Sequence, residues 1–186
     1  MGPWHKAPWL LSGYAAALVY WSFTLASVLA NPWFSFLSNA LSDLGGPLAQ
    51  RPELYNMGLI AAGLLTGLYS VAIIFYGRGK LEALGGAYLS VASAFLALIG
   101  LFPAGTRPHV FISTYFFVQA FVAVLVLAVA LLRRRMRAGL LLLLLFAMAF
   151  AGALVRWPSV ALEESYEIVL LIAFVAIYNR AAASRP

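Results

Sequence analysis

Two short segments carry polar side chains that could do chemistry. Asp43 stands in Ser42-Asp43-Leu44-Gly45. Its carboxylate can accept hydrogen bonds from loop amides, pair with Arg51 or Arg107, or act as a general base or metal ligand. His109 begins an apolar run, where it can orient a loop, titrate near neutral pH or bind a metal ion. The structural and the chemical interpretation of both residues stay open at this point.

A third group of ionisable residues stands at the start of the last apolar stretch. Glu163 and Glu164 fall in the first turn of a predicted helix, where the helix dipole favours acids. Glu167 falls deeper, and an intramembrane carboxylate costs about 2.5–3.5 kcal/mol, so it normally has a partner. Arg156 is the nearest plausible partner, and we predict that it pairs with Glu167. Alternatively, Arg156 and Arg107 bind a lipid phosphate or another anion, which suits a planar guanidinium.

The elements that position these residues must lie in a bilayer. Hydrophobic residues make up 64% of the 186 residues and charged residues only 10%, and the mean hydropathy is +0.94. A water-soluble chain of this length could not bury so much apolar surface. The apolar runs lack the alternation of barrel strands, which leaves helices as the spanning elements. We predict an all-α fold, a polytopic membrane helical bundle of six transmembrane helices in a single domain, 1–186. The predicted spans are about 8–30, 54–76, 83–102, 110–132, 138–155 and 160–178.

Lysine and arginine are distributed unevenly between the two sides of this bundle. Nine of the 12 lie in the amino end, the 2–3 and 4–5 connections and the carboxyl tail. The arginine run at 133–137 is typical of a cytoplasmic anchor that contacts anionic head groups. The positive-inside rule therefore predicts a multi-pass protein of the cell membrane with both termini in the cytoplasm. Five of the six acids and His109 then face the extracytoplasmic side. We expect membrane lipids as partners and no nucleic acid.

The first connection is the longest and has a pattern of its own. After Asn31-Pro32, apolar residues recur at helical spacing between 33 and 44, with serine, asparagine and aspartate on the opposite side. Gly45-Gly46-Pro47 ends the pattern. It predicts a short amphipathic helix at about 33–44, too short to span, in the outer interface.

Small residues form stripes on the second and third spans. Gly63 and Gly67 are four residues apart, and Gly86 begins a stripe with Ser90 and Ala94. Such stripes let helices approach closely in lipid. We interpret them as helix packing within the chain. A homo-oligomer contact through Gly63, Gly67 or Gly86 and a groove for a lipid tail are the alternatives.

The composition argues against several function classes. The chain has no cysteine, which excludes disulfides, thiolate metal sites and cysteine nucleophiles. It has neither a phosphate-binding glycine loop nor an HExxH motif. His5 and His109 fall on opposite sides of the membrane, which excludes a bis-histidine haem. The first five spans have no ionisable residue in their central turns, unlike most proton-coupled transporters. We expect no cofactor and no bound metal; if a metal binds, Asp43 and His109 are the candidate ligands.

Several short motifs resemble those of a prokaryotic membrane-protein family, domain of unknown function 998. They are Ser42-Asp43-Leu44-Gly45, Asn56, Gly100-Leu101-Phe102-Pro103 and His109. With the six-helix layout, they also look distantly like the Frag/DRAM/Sfk group, whose members are linked to lipid-anchor remodelling, phospholipid organisation and autophagy. The resemblance covers about residues 10–178. It implies a six-helix membrane fold and a functional outer face with Asp43 and His109, and it supplies no set of catalytic residues.

We therefore expect a lipid-interacting or membrane-organising protein with a polar pocket on its extracytoplasmic side and no catalysis. The alternative is an intramembrane lipid-modifying hydrolase or transferase. In that case Asp43 and His109 do acid–base work or hold a metal, Arg156 holds a lipid phosphate and Glu167 orients. Catalysis requires Asp43, His109 and Glu167 to converge on an accessible cavity, so the geometry of these three residues separates the two hypotheses.

Overall fold

The computed structural model describes residues 7–183, and these contain helices and no strand. A single turn, Ala7–Leu10, precedes the first long helix. The long helices are α1 (Ser12–Ala30), α2 (Pro52–Tyr76), α3 (Lys80–Leu101), α4 (His109–Leu132), α5 (Met136–Gly152) and α6 (Val160–Ala183). A 3-10 helix, Leu41–Gly45, lies in the connection between α1 and α2. The predictions that involve His5, Lys6 and Arg185 lie outside the described residues.

Length and composition identify membrane spans among these helices. Within residues 7–183, four segments are long and apolar enough to cross a bilayer: Pro8–Ala30, α2, α3 and α4. The helix α5 is apolar but has 17 residues, and α6 has 24 residues with acids near its start. The prediction of an all-α membrane bundle is confirmed at this level. The count of six crossings remains a proposal.

The connections meet at two opposite ends of the bundle. At one end, Ala161 N–H donates to Asn39 O (2.8 Å), and Gly46 lies beside Ala104, so the α1–α2, α3–α4 and α5–α6 connections are neighbours. We call this the acidic end, because Asp43, Glu53, Glu163, Glu164 and Glu167 lie there. The other end carries 77–80, 133–137 and Arg180, and we call it the basic end. There the first helical turn approaches α6 through Asn179 Nδ2, which donates to Leu10 O at 3.0 Å.

Glycines bring α2 and α3 into backbone contact. A Cβ atom on Gly63 would lie 2.8 Å from Ala97 N, and one on Gly86 would lie 3.0 Å from Ser70 O. Neither position has room for a side chain, so each glycine is needed for the close approach of these two helices. The interpretation of the stripes as internal packing is thereby confirmed for Gly63 and Gly86. The homo-oligomer through Gly63, Gly67 or Gly86 stays a prediction.

The amphipathic α-helix predicted at about 33–44 is wrong. Residues 31–40 form turns, and only Leu41–Gly45 is helical, as a 3-10 helix. Asn39 Oδ1 accepts from Ser35 N–H (2.9 Å), and Asp43 Oδ2 accepts from Ala40 N–H (2.9 Å). Such local bonds from side chains to backbone amides compete with the α-helical ladder. The apolar pattern still marked burial correctly at Leu41 and at Leu44, which are both inaccessible to solvent.

Candidate functional site

A cavity of about 110 Å³ lies between α6 and the helices α1 to α4. Consecutive helices from α1 to α4 pack closely, and glycines such as Gly58, Gly63 and Gly85 lie at their contacts. The helix α6 contains no glycine and makes few contacts with α1 and α4. Its larger side chains hold it away from its neighbours, and space remains where it faces them.

Most of the cavity wall is apolar. The apolar lining residues are Ala16, Ala17, Leu59, Ala62, Leu89, Leu96, Ile99, Phe116, Phe117, Ala120, Ile168, Leu171, Ile172, Phe174 and Val175. On α2 the lining runs from Tyr55 to Tyr69, which corresponds to about 21 Å at the rise of an α-helix. A volume of about 110 Å³ spread over that length is a narrow slot. Its elongated shape and apolar walls suit a hydrocarbon chain.

Polar groups with spare hydrogen-bonding capacity lie at the acidic end of the cavity. Ser42 and the half-buried Glu164 line it there, beside the Tyr20 and Tyr55 hydroxyls. Glu164 Oε2 accepts from Leu41 N–H at 2.7 Å, which leaves its second oxygen available. The two tyrosine hydroxyls are 3.4 Å apart, a long hydrogen bond. Ser113, one turn into α4, also lines the cavity, and its hydroxyl donates to Val110 O at 3.1 Å. These five side chains offer several acceptors at one end of an apolar slot.

The polar side chains at the inner end of the cavity are engaged within the protein. Thr66 Oγ1 donates to Ala62 O at 2.8 Å, one helical turn back. The Tyr69 hydroxyl donates to Asn179 Oδ1 at 2.9 Å. The inner end therefore presents apolar surface and hydroxyls that are already hydrogen-bonded. The cavity is polar at its acidic end and apolar toward its inner end.

Asp43 and His109 do not line this cavity. Asp43 closes the turn that starts the 3-10 helix, through the hydrogen bond from Ala40 N–H. His109 is buried, and its Nδ1 lies 2.9 Å from Phe102 O, which ties the start of α4 to the end of α3. Each residue thus has a local structural bond in its own loop. The convergence that catalysis by Asp43, His109 and Glu167 requires is absent from the cavity.

The predicted ion pair between Arg156 and Glu167 is wrong. Arg134 pairs with the buried Glu82 at the basic end, whereas no basic side chain of the described residues pairs with Glu167. Arg156 and Arg107 are both exposed at the acidic end, and Glu167 is half-buried outside the cavity lining. Arg156 lies in the irregular segment after α5, where no helix directs its side chain toward α6. Anion binding by Arg107 and Arg156 stays a prediction.

The motif residues at the acidic end meet around Asn56. Asn56 Nδ2 donates to Gly45 O at 3.1 Å. A Cβ atom on Gly45 would overlap the Asn56 side chain, and one on Gly100 would overlap the Asn56 backbone oxygen. The 3-10 helix, α2 and α3 are joined at this point. Three residues near this junction line the cavity: Ser42 belongs to the same 3-10 helix as Gly45, Tyr55 precedes Asn56, and Ile99 precedes Gly100.

The α1–α2 connection is fastened over the start of α6. Ser159 Oγ donates to Phe36 O and accepts from Leu162 N–H (3.2 Å), so one hydroxyl both holds the connection and caps α6. Glu164 adds the bond to Leu41 N–H. The connection therefore forms the outer cover of the cavity, and Glu164 belongs to both cover and lining.

Asn31 anchors the other side of this cover. Its side chain is inaccessible to solvent and makes four hydrogen bonds. Asn31 Nδ2 donates to Ser27 O (2.8 Å) and Gln50 O (3.0 Å), and Asn31 Oδ1 accepts from Trp33 Nε1 (3.1 Å) and Gln50 N–H (2.6 Å). These bonds join the start and the end of the connection. The Asn31-Pro32 pair does end α1, but the asparagine also closes the loop.

At the basic end, Glu82 is a buried acid that no sequence pattern indicates. Only 2% of the residue is exposed. It accepts a hydrogen bond from the Tyr178 hydroxyl (2.9 Å) and pairs with the half-exposed Arg134 at 3.7 Å. It links α3, α6 and the α4–α5 connection. We assign it a structural role, because the cavity lining does not include it.

The position of Glu164 in the cavity wall could have been predicted from the sequence, whereas the contact between the two tyrosines could not. Glu164, Ile168, Leu171 and Val175 follow one another at helical spacing and share one face of α6, which lines the cavity. That stripe marks Glu164 as inward-facing, although its place in the first turn invited an explanation by the helix dipole. Tyr20 and Tyr55 meet across two helices, and nothing in the sequence pairs them.

Metal-binding geometry is absent from residues 7–183, where no three histidine, aspartate or glutamate side chains are grouped to hold an ion.

Comparison with known proteins supports the family resemblance. A family model described as "Protein of unknown function (DUF998)" matches residues 14–181. No curated protein and no protein of solved structure matches the chain. The similarity to the Frag/DRAM/Sfk group stays a prediction.

Proposed function

Because the chain belongs to the DUF998 family of proteins of unknown function, we propose its function from the cavity alone. The protein is an integral membrane protein that binds one hydrocarbon chain of an amphiphile between α6 and the rest of the bundle. The polar head of the ligand lies at the acidic end, beneath the α1–α2 connection. The protein acts as a binding or membrane-organising component and performs no reaction on the ligand.

The observation that carries this proposal is the difference in polarity between the two ends of the cavity. A slot with acceptors at one end and apolar walls over the remaining length fits a molecule that is polar at one end. An empty slot of this kind would forfeit dispersion contacts along its whole length, and a hydrocarbon chain restores them. Pockets that bind small molecules share this pattern of apolar walls with a few placed polar groups.

Binding is favoured over catalysis by the positions of the candidate catalytic residues. Asp43 and His109 are bonded in separate loops, and neither lies with Glu167 in the cavity wall. A hydrolase or transferase would need a nucleophile or base, with a group that orients it, around one reacting atom. Glu164 is the carboxylate in the wall, and one of its oxygens is occupied by Leu41 N–H.

We also propose that all six helices cross the membrane and that the basic end faces the cytoplasm. The helix α6 is about 36 Å long at the rise of an α-helix, which is sufficient to span. The basic residues collect at the end that holds 77–80 and 133–137, as the positive-inside rule requires. A reporter that is active only outside the cell, fused after Pro186, should be inactive. Full activity would reverse this orientation.

Filling the cavity should abolish amphiphile binding. Ala17 is half-buried and lines the slot from α1, so Ala17→Trp places a large side chain in the volume proposed for the chain. We expect purified protein in phosphatidylcholine nanodiscs to bind tritiated dodecanol saturably, above the level of empty nanodiscs. Ala17→Trp should weaken that binding by about tenfold or more.

The matched control is Leu18→Trp, which adds the same side chain at the neighbouring position. Leu18 is 71% exposed on the outside of the bundle, so this variant should bind like the wild type. Absence of saturable binding by the wild type, or equal binding by the wild type and Ala17→Trp, would contradict the proposed function. Melting temperatures of both variants check that the fold is retained.

A further inference from the structure

The side chains that line the acidic end of the cavity determine which sign of charge the ligand head can carry. The polar side chains there are Ser42, Ser113, Glu164 and the two tyrosines, and the residues that line the cavity include no lysine, arginine or histidine. A hydroxyl both donates and accepts, and a carboxylate only accepts. The head-group region therefore offers one ionisable carboxyl group and several acceptors, and its lining contains no basic side chain.

Glu164 lacks a counter-ion within the described part of the chain. Its hydrogen bond comes from a neutral amide, Leu41 N–H, and no basic side chain pairs with it. The charges that act on it come from other acids, namely Asp43, Glu163 and Glu167. The arginines of this end, such as Arg107 and Arg156, are exposed. A carboxylate held beside apolar walls without a cation is unfavourable, and a ligand cation would relieve this.

We propose that the cavity selects a single-chain amphiphile whose head is a protonated primary amine. This inference rests on the proposed function. A primary ammonium carries one positive charge and three N–H donors. Those donors match the available Glu164 oxygen, the Ser42 hydroxyl and the Tyr20–Tyr55 pair, whose ring faces also attract a cation. Glu164 would repel a phosphate or carboxylate head. An alcohol head would leave the charge of the Glu164 carboxylate without a counter-ion.

The slot limits the ligand to one chain. About 110 Å³ along roughly 21 Å leaves no room for a second chain beside the first. The ammonium head sits below the α1–α2 connection, where Glu164 also holds Leu41 N–H. The ligand class is therefore a long-chain primary amine with one hydrocarbon chain in the slot.

Three probes with the same chain test the choice of head group. Dodecylamine, dodecanol and dodecanoate compete with tritiated dodecanol for the protein in phosphatidylcholine nanodiscs near neutral pH, with empty nanodiscs subtracted. For the wild type we expect dodecylamine to bind about tenfold or more tightly than dodecanol, and dodecanoate to bind weakest. Glu164→Gln should remove the amine preference, so that the ratio of dodecylamine to dodecanol affinity falls by about tenfold or more.

The control variant and the outcomes separate this inference from the proposed function. Glu164→Gln keeps an oxygen that can accept from Leu41 N–H, and Glu163→Gln removes a neighbouring charge outside the cavity lining. Glu163→Gln should keep the amine preference. Equal affinities of wild type for amine and alcohol, or a preference that survives in Glu164→Gln, would overturn the amine assignment while the cavity still binds a chain. Failure of all three probes to bind would overturn the proposed function itself.

Discussion

Gly63→Ala should lower the melting temperature of the protein in detergent micelles, whereas Gly67→Ala should leave it nearly unchanged. The new Cβ at position 63 would lie 2.8 Å from Ala97 N and 2.9 Å from Ser93 O, which are backbone atoms of α3. Backbone cannot move aside as a side chain can, so α2 and α3 must separate. Overpacking of this kind costs about 1–3 kcal/mol.

Gly67 provides a matched control one turn further along α2. A Cβ there would have the Ser93 hydroxyl as its nearest neighbour, at 3.3 Å. Alanine also has a better helix propensity than glycine, which offsets the tighter contact. Equal losses from the two substitutions would contradict the close approach of α2 and α3 at Gly63, and would instead indicate that both positions respond alike to the loss of glycine.

Tyr178→Phe should also destabilise the bundle, by about 1.5–3 kcal/mol, because hydrogen bonds to charged groups are the strong ones. The Tyr178 hydroxyl donates to Glu82, whose side chain is 3% exposed. Arg134 is half-exposed and 3.7 Å away, so solvent screens its contribution and it cannot replace the lost bond. The loss should appear as a lower melting temperature, with amphiphile binding retained.

Tyr166→Phe is the control on the same helix. Its hydroxyl donates to Met148 O at 3.0 Å in an exposed position, where water can replace the bond. We expect a change within about 0.5 kcal/mol, the usual range for surface substitutions. A Tyr178→Phe variant as stable as Tyr166→Phe would show that the Glu82 carboxylate is satisfied without the tyrosine.

The helices were predictable because their signal is local. Long apolar runs interrupted by proline, glycine and charge locate α1 to α6, and the small residues at Gly63 and Gly86 mark contacts that the structure contains. The connection at 31–50 was harder, because side chains of Asn31, Asn39 and Asp43 bind its amides and decide its backbone. The spacing of apolar residues correctly predicts the burial of Leu41 and Leu44, but it does not predict hydrogen bonds between side chains and backbone.

The candidate site depends on distances between helices, which sequence does not contain. Glu167 attracted attention because of its depth in the last span, yet Glu164 lines the cavity. Asp43 and His109 belong to recognisable motifs, and their bonds to Ala40 N–H and Phe102 O show what those motifs build locally. The cavity arises from the loose fit of α6 against four other helices. Such a fit is a property of the assembled bundle.

A crystal structure with dodecanol brominated at its terminal carbon tests the central claim most directly. We expect anomalous bromine density inside the bundle, between α2 and α6 near Thr66, with the hydroxyl of the probe beside Glu164 and Ser42. That result places one hydrocarbon chain along the slot, with its polar end at the acidic end. Bromine density confined to the lipid-facing surface of the helices, with the slot filled by rearranged side chains, would contradict the account.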